Sequence, residues 1–197
     1  MDAEFLARLK NLADRQDILD CLNRFSRGMD RFDQELFLSA FHPDATIAAG
    51  VFVGAPAALY VWAESLHDQG QIATHHNLLN HTCEIQGDTA HSETYYLFVG
   101  RNRDDSNWMA GGRYIDRLER RDGAWRIALR TNAIEWSGMV PSTPIPFADV
   151  PDINGNGAPA RSKEDPSYQR PLINRRAPHN PADVVVTLDN TDGGTAR

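Results

Sequence analysis

The spacing of apolar residues divides the chain into a helical first part, a strand-rich middle and an irregular end. Ile18, Leu22, Phe25 and Met29 recur at intervals of four, three and four, one stripe along an α-helix. Leu6, Leu9 and Leu12 form a shorter stripe ahead of it, so residues 3–29 read as helical, with room for a break near Ala13-Asp14. Asp33 is placed to cap a second short helix over Gln34 to Phe41, which ends before His42-Pro43-Asp44. Ala45 to Val53 reads as a strand. Gly54-Ala55-Pro56 then opens a third helix, Ala57 to His67, with Leu59, Trp62, Ala63 and Leu66 on one side. Ala73 to Gly100 holds two runs of strand-like residues around Gln86-Gly87-Asp88, the signature of a β-hairpin. A polar turn, Asn102 to Asn107, leads into a strand from Trp108 to Arg120. After Arg121-Asp122-Gly123 a last strand runs from Ala124 to Trp136. The predicted order is α-α-β-α-β-β-β-β, without internal repeats.

The pattern fails beyond Trp136. Nine of the eleven prolines lie between Pro141 and Pro181, and Asn154-Gly155-Asn156-Gly157 adds a further irregular stretch. Such a segment builds neither regular helices nor central strands, and only Asp183 to Asp189 looks like a strand. The expected organisation is therefore a domain over residues 1–136 and an extended Pro-rich tail over 137–197. The tail is expected to pack on its own barrel or on a neighbouring subunit.

Composition narrows the possible functions. The 197 residues suffice for one domain with an appendage, and 41% hydrophobic residues can bury a core. A formal net charge of −7 argues against nucleic acid or an anionic membrane as partner. No apolar run approaches the roughly 18 residues of a membrane span. The first residues are charged and amphipathic, without a basic-then-apolar signal pattern, so the cytoplasm is the expected compartment. Cys21 and Cys83 are expected to be buried thiols.

Three of the seven histidines, His75, His76 and His81, lie on the first arm of the hairpin among leucines and asparagines. Imidazoles mixed with apolar residues suggest a sheet face meeting a wet pocket, and histidine exchanges protons near neutrality. Strand alternation puts His75 and His81 on the face opposite to His76. On the second arm His91 and Glu93 read as solvent-facing, with Ser92, Thr94, Tyr96 and Phe98 facing in. No Gly-rich phosphate loop, G-x-S-x-G elbow or H-E-x-x-H motif occurs. The Asp152–Gly157 stretch resembles a calcium loop but lacks the distal Glu, and no convincing zinc set is present. Neither a metal nor a cofactor is expected.

Three separated stretches resemble, in order, the SnoaL-like branch of the nuclear transport factor 2-like superfamily. RQDILDCLNRFSRGMDRFDQELFLSAFHPDA is similar to its opening helices, HHNLLNHTCEIQGDTAHSETYY to its H-x-x-x-N strand and G-D-x-A, and GGRYIDRLERRDGAWRIALRTNAIEW to its last two strands. The resemblance covers about residues 8–136. It implies an α+β fold: a cone-shaped barrel, its curved, mostly antiparallel sheet wrapped around three N-terminal helices.

The superfamily's cofactor-independent lyases include scytalone dehydratase, bile-acid dehydratase and hexachlorocyclohexane dehydrochlorinase. The resemblance implies a catalytic Asp30–His76 pair, with Asn80 completing H-x-x-x-N and Arg130 acting from the last strand. Where those enzymes carry Tyr or Lys, this chain has Phe25, so the hydroxyl of Tyr96, or of Tyr114, is the candidate replacement. For Arg130 two placements stand. Plain alternation groups it with Arg126 on the solvent side, the resemblance puts it in the cavity, and a bulge reconciles them. Phe41, Phe52, Tyr60, Trp62 and Trp108 are the further candidates for lining a substrate cavity, although the same residues serve equally as core.

The expected activity is elimination of water, halide or formaldehyde from a hydrophobic, ring-bearing small molecule. A double-bond isomerase, a polyketide cyclase and a non-catalytic binding module are the alternatives. The resemblance also implies a homo-oligomer, a trimer first and a dimer next.

Overall fold

The computed structural model describes residues 2–178, so the strand expected at Asp183 to Asp189 lies outside the described residues. The first helix, α1 (Ala3–Asp30), is capped by Asp2, whose carboxylate accepts the Phe5 N–H at 2.7 Å. It runs unbroken through the break expected near Asp14. That carboxylate is turned inward and satisfied, accepting from Trp125 Nε1 at 3.0 Å and from Arg120 and Lys10 at 2.7 Å. The stripe Ile18, Leu22, Phe25, Met29 is buried as its spacing predicts, while Leu6, Leu9 and Leu12 remain exposed.

Asp33 caps α2 (Gln34–Leu38), which is shorter than expected. Phe41, predicted to close that helix, instead opens β1 (Phe41–Ala49). The predicted single strand Ala45–Val53 is in fact folded on itself. Gly50, at φ +58°, turns the chain back into β2 (Phe52–Gly54), which pairs antiparallel with β1. Pro43 is tolerated because the ladder is interrupted between Phe41 and Thr46. Helix α3 (Pro56–Gly70) starts on a proline and runs three residues past His67.

Four long strands complete the fold: β3 (Gln71–Gln86), β4 (Thr89–Asn102), β5 (Ser106–Arg121) and β6 (Ala124–Pro141). The sheet order is β2-β1-β6-β5-β4-β3, antiparallel except for the β1–β6 pair. The sheet is open and curved, with the three helices at its concave face, the α+β cone that the sequence implies.

Irregularities bend the long strands. In β5 the ladder puts Gly111 opposite Trp136 and Gly112 opposite Ile134, skipping Glu135. A Cβ on Gly112 would lie 2.1 Å from the Ala133 carbonyl oxygen, and one on Gly111 would lie 2.4 Å from the Trp136 ring, so only glycine fits either position. A second bulge in β6 and a third in β3 decide which side chains face inward.

Helices α1 and α2 meet at Gly28, where an added Cβ would stand 2.5 Å from the Phe37 backbone nitrogen. Gly28→Ala is therefore expected to destabilise the fold by about 1–3 kcal/mol from overpacking, despite a helix-propensity gain of about 1 kcal/mol. The readout is the midpoint of urea unfolding; an unchanged or higher midpoint would show that the two helices can move apart freely. Cys21 and Cys83 are both buried and free, and burial pushes the Cys21 thiol up to about 11.

The described part of the tail packs on its own chain, along the helix ends. Tyr168 donates to Asp33 at 2.7 Å, Lys163 pairs with the same carboxylate, and Asp165 lies 3.6 Å from Arg31. Arg161 donates to the carbonyls of His67 and Gln71 at 3.0 and 2.7 Å, capping the end of α3. The tail thus ties together the ends of α1 and α3.

Candidate active site

Between the helices and the concave face of the sheet lies a cavity of about 400 Å³, mostly apolar, within the size range of small-molecule sites. His76 lines it and Asp30 stands behind. Asp30 is the last residue of α1, and Ser26 lies one turn before it on the same helix face. Together they clamp one residue of β3. Ser26 Oγ donates to the His76 carbonyl at 2.5 Å, and Asp30 Oδ2 accepts the His76 backbone N–H at 2.8 Å. The other carboxylate oxygen, Oδ1, is 2.6 Å from His76 Nδ1.

With a carboxylate beside it, Nδ1 carries the proton, and the ring keeps Nε2 as its unprotonated nitrogen. Burial alone would raise the Asp30 pKa. The charge and hydrogen bonds of His76 more than reverse this, leaving the carboxyl below its usual range. His75, the next residue, is exposed on the opposite face.

Arg130 reaches the cavity because of the β6 bulge. Ile127 pairs with Leu118 and Leu129 with Arg117, so Ala128 is left unopposed and the alternation resets. Arg130 and Asn132 consequently line the cavity, while Arg126 keeps the earlier parity. The guanidinium forms a two-point pair with Asp116, Nε to Oδ1 and Nη2 to Oδ2, both at 2.7 Å. Its carbon lies 4.1 Å from the centre of the Phe25 ring and 4.3 Å from that of Tyr114, and Nη1 is buried without a partner.

The aromatic candidates divide into lining and core. Phe25, Trp62, Tyr96, Trp108 and Tyr114 line the cavity. Tyr96 and Tyr114 stack at 4.4 Å, and burial raises both hydroxyl pKa values, so both remain phenols at neutral pH. Phe52 stacks behind Trp62 at 5.7 Å without itself lining the cavity. Phe41 and Tyr60 are core residues: Phe41 packs on Phe37 at 5.1 Å, and the Tyr60 hydroxyl donates to Glu64. Asn80 is exposed and outside the cavity. It sits in the β3 bulge, where the ladder jumps from Leu78–Tyr96 to His81–Thr94. The same bulge turns His81 inward, against its predicted parity, to meet Thr94 Oγ1 at 2.9 Å, still away from the cavity.

His67 is a cavity residue that the strand patterns do not reveal. It follows Leu59 and Ala63 at successive intervals of four, a helical spacing that points it inward with them. Its ring stacks on Phe98 at 5.4 Å and meets His76 edge-on at 5.7 Å. Burial, helped by the proximity of His76, lowers its pKa to about 4.

The sign of the pH effect follows. The unfolded chain binds this proton below pH about 6.5 while the native chain does not, so stability is full above that pH and lost as pH falls toward about 4. His67→Leu should flatten this limb, which amounts to about 3 kcal/mol. Urea midpoints at pH 7 and pH 4.5 measure it, and a limb unchanged in the variant would exclude His67 as its source. Among the described residues no group of three or more His, Cys, Asp or Glu is placed to hold a metal ion, and no helix is long and apolar enough to cross a membrane.

Known structures with the same architecture include the hexachlorocyclohexane dehydrochlorinase LinA type 2, at 20% identity. The match covers 71% of this chain and 98% of that one, with a TM-score of 0.65. LinA type 3 from Novosphingobium barchaimii matches at 20% identity over 71% and 99% of the two chains, with a TM-score of 0.63. A scytalone dehydratase-like protein from Novosphingobium aromaticivorans matches at 19% identity over 70% and 97%, with a TM-score of 0.59. At these identities the likeness is one of fold. No match was found among curated proteins. The family model described as the SnoaL-like domain matches residues 10–131. That span carries most of α1, all of α2 and α3, the sheet into β6, and Asp30, His67, His76, Tyr96, Tyr114 and Arg130, and the chain belongs to the SnoaL-like family.

Proposed function

We propose that this protein is a cofactor-independent lyase acting on a small, hydrophobic, ring-bearing molecule. The observation that carries the reading is the 2.6 Å contact between Asp30 and His76 Nδ1 at the wall of an apolar cavity. It leaves Nε2 as a base, and the carboxylate stabilises the imidazolium formed when that base takes a proton. Nε2 removes a proton from carbon, the C–H electron pair becomes the new double bond, and the group on the neighbouring carbon leaves with its own bonding pair. Arg130 Nη1, buried without a partner, and the Tyr96 hydroxyl are the donors suited to receive that group. Phe25 offers it nothing.

A second reading draws on the Arg130–Asp116 pair. The guanidinium charge is already matched by a carboxylate, which weakens its pull on a departing anion. A double-bond isomerisation or cyclisation needs only the base and neutral donors such as Tyr96 and Tyr114 to hold an enolate.

The discriminating experiment incubates the protein in heavy water with halogenated, hydroxylated and diol-bearing ring compounds and analyses products by mass. Elimination releases a fragment and leaves a lighter ring product. A product of unchanged composition, apart from deuterium, favours isomerisation and counts against the lyase.

We also infer a homo-oligomer, a trimer first, in the cytoplasm. Leu79, Tyr95 and Leu129 expose apolar surface on three of the strands. Native mass measurement is expected to give three chains, and a monomer would refute the assembly.

A further inference from the structure

The tautomer of His67 can be traced from a surface carboxylate. Asp104 accepts only, so Ser106 Oγ, 2.6 Å away, donates to it and is left to accept from Asn102 Nδ2 at 2.9 Å. Asn102 therefore turns its Oδ1 toward Gln71, whose Nε2 donates to it at 3.0 Å. Gln71 then presents Oε1 to His67 Nδ1, at 3.1 Å. An amide oxygen also only accepts, so Nδ1 carries the proton and Nε2 has a bare lone pair.

Four hydrogen bonds thus fix one proton on a buried ring. Arg161 holds the carbonyls of His67 and Gln71, and Phe98 holds the ring face, so the ring has little freedom to turn. An unpaired ring nitrogen is not by itself a binding site, since His81 Nε2 is also buried without a partner, but away from the cavity. In His67, among the described residues, Nε2 has no protein partner, and the ring lines the cavity.

We propose that His67 Nε2 accepts a hydrogen bond from a hydroxyl of the ligand, so that the cavity selects ring-bearing alcohols or phenols over their ethers, ketones and halides. This rests on the reading of the cavity as a small-molecule site, and it names the class of molecule bound there. The ring stays neutral, and therefore an acceptor, at neutral pH, because burial and the neighbouring imidazole both oppose a positive charge on it. A ligand lacking a donor would exclude water from this lone pair without replacing its hydrogen bond, a cost that disfavours it.

The test compares 2-naphthol with 2-methoxynaphthalene, two ligands alike in ring and differing in the donor, by isothermal titration calorimetry. Wild type is expected to bind the naphthol about tenfold more tightly, the scale of one buried hydrogen bond. His67→Phe should abolish that preference by weakening the naphthol, while His76→Ala should retain it. Absence of a preference in wild type, including absence of binding, overturns the proposal. So does a preference that survives His67→Phe or is lost in His76→Ala alone. ¹⁵N spectra of the wild-type protein at pH 7 give a readout independent of any variant: Nε2 of His67 should resonate as an unprotonated ring nitrogen, and a protonated one refutes the assignment. Neither measurement involves turnover, so a protein that eliminates nothing would still show the preference, and failure of the lyase reading is separable from failure of this one.

Discussion

His76→Ala should lower turnover of the substrate by roughly 10²–10⁴-fold, the usual contribution of a positioned base, while the protein still folds with a lowered thermal midpoint, because Asp30 stays buried and loses the ring that offsets its desolvation. The side chain projects from β3 into a cavity, so its removal enlarges a space already there. Asp30→Asn should come close to the same loss by another route. A carboxylate next to Nδ1 demands the proton on Nδ1; an amide can offer an N–H instead, which permits the tautomer with the proton on Nε2, facing the cavity. The base is then blocked without being removed. Because the loss is one of chemistry, kcat should fall much more than KM rises. Asp30→Asn also keeps an oxygen for the His76 backbone N–H, so the clamp made with Ser26 can persist. Steady-state kinetics on the compound identified by mass analysis decide the matter. Turnover within a few-fold of wild type in both variants would end the proposed role of the pair.

The fold lies close to the surface of the sequence because its elements follow simple periods. Those periods show only that Asp30 ends a helix and His76 faces inward; it is the resemblance that implies their pairing. The stripe Ile18-Leu22-Phe25-Met29 runs on to the last residue of α1, and the alternation of β3 turns His76 inward and His75 outward. Bulges are a different matter. Nothing in Ile127-Ala128-Leu129-Arg130 announces that Ala128 will stand unopposed, yet that one residue carries Arg130 from the solvent side into the cavity. The β3 bulge has the same force, exposing Asn80 and turning His81 inward. Bulges arise from the fit of one strand to its neighbour and from the curvature of the sheet, which local spacing does not encode. Aromatic residues posed a second difficulty. Phe41 and Tyr60 are as hydrophobic as Trp108, and only the packing of α2 against β1 and α3 decides that the first two fill the core. His67 did leave a trace, its interval of four from Ala63, but at the predicted end of a helix that trace is easily taken for a polar terminus.

Asp116→Ala should destabilise the protein by about 3–5 kcal/mol, the cost of removing one partner of a buried ion pair. Both side chains are almost wholly out of water, with Asp116 at 0% and Arg130 at 1% exposure. Burial opposes the Arg130 cation, and Asp116 more than compensates, raising its pKa. Without that carboxylate, the guanidinium keeps its charge between the rings of Phe25 and Tyr114, whose faces offset only part of the lost hydration. The pair as a whole need not be stabilising: replacing both partners, Asp116→Leu with Arg130→Met, should cost far less than Asp116→Ala alone. Urea midpoints of the variants test this, and a double variant as unstable as the single one would mean that packing, rather than the stranded charge, dominates. The double variant also separates folding from function. If Arg130 serves only to hold β5 to β6, the folded double variant should keep wild-type turnover; if Nη1 receives the departing group, the same protein should fold and yet lose kcat, because the donor is absent where negative charge develops. Arg130 lines the cavity and its buried Nη1 has no partner, which leaves that donor free for the second outcome.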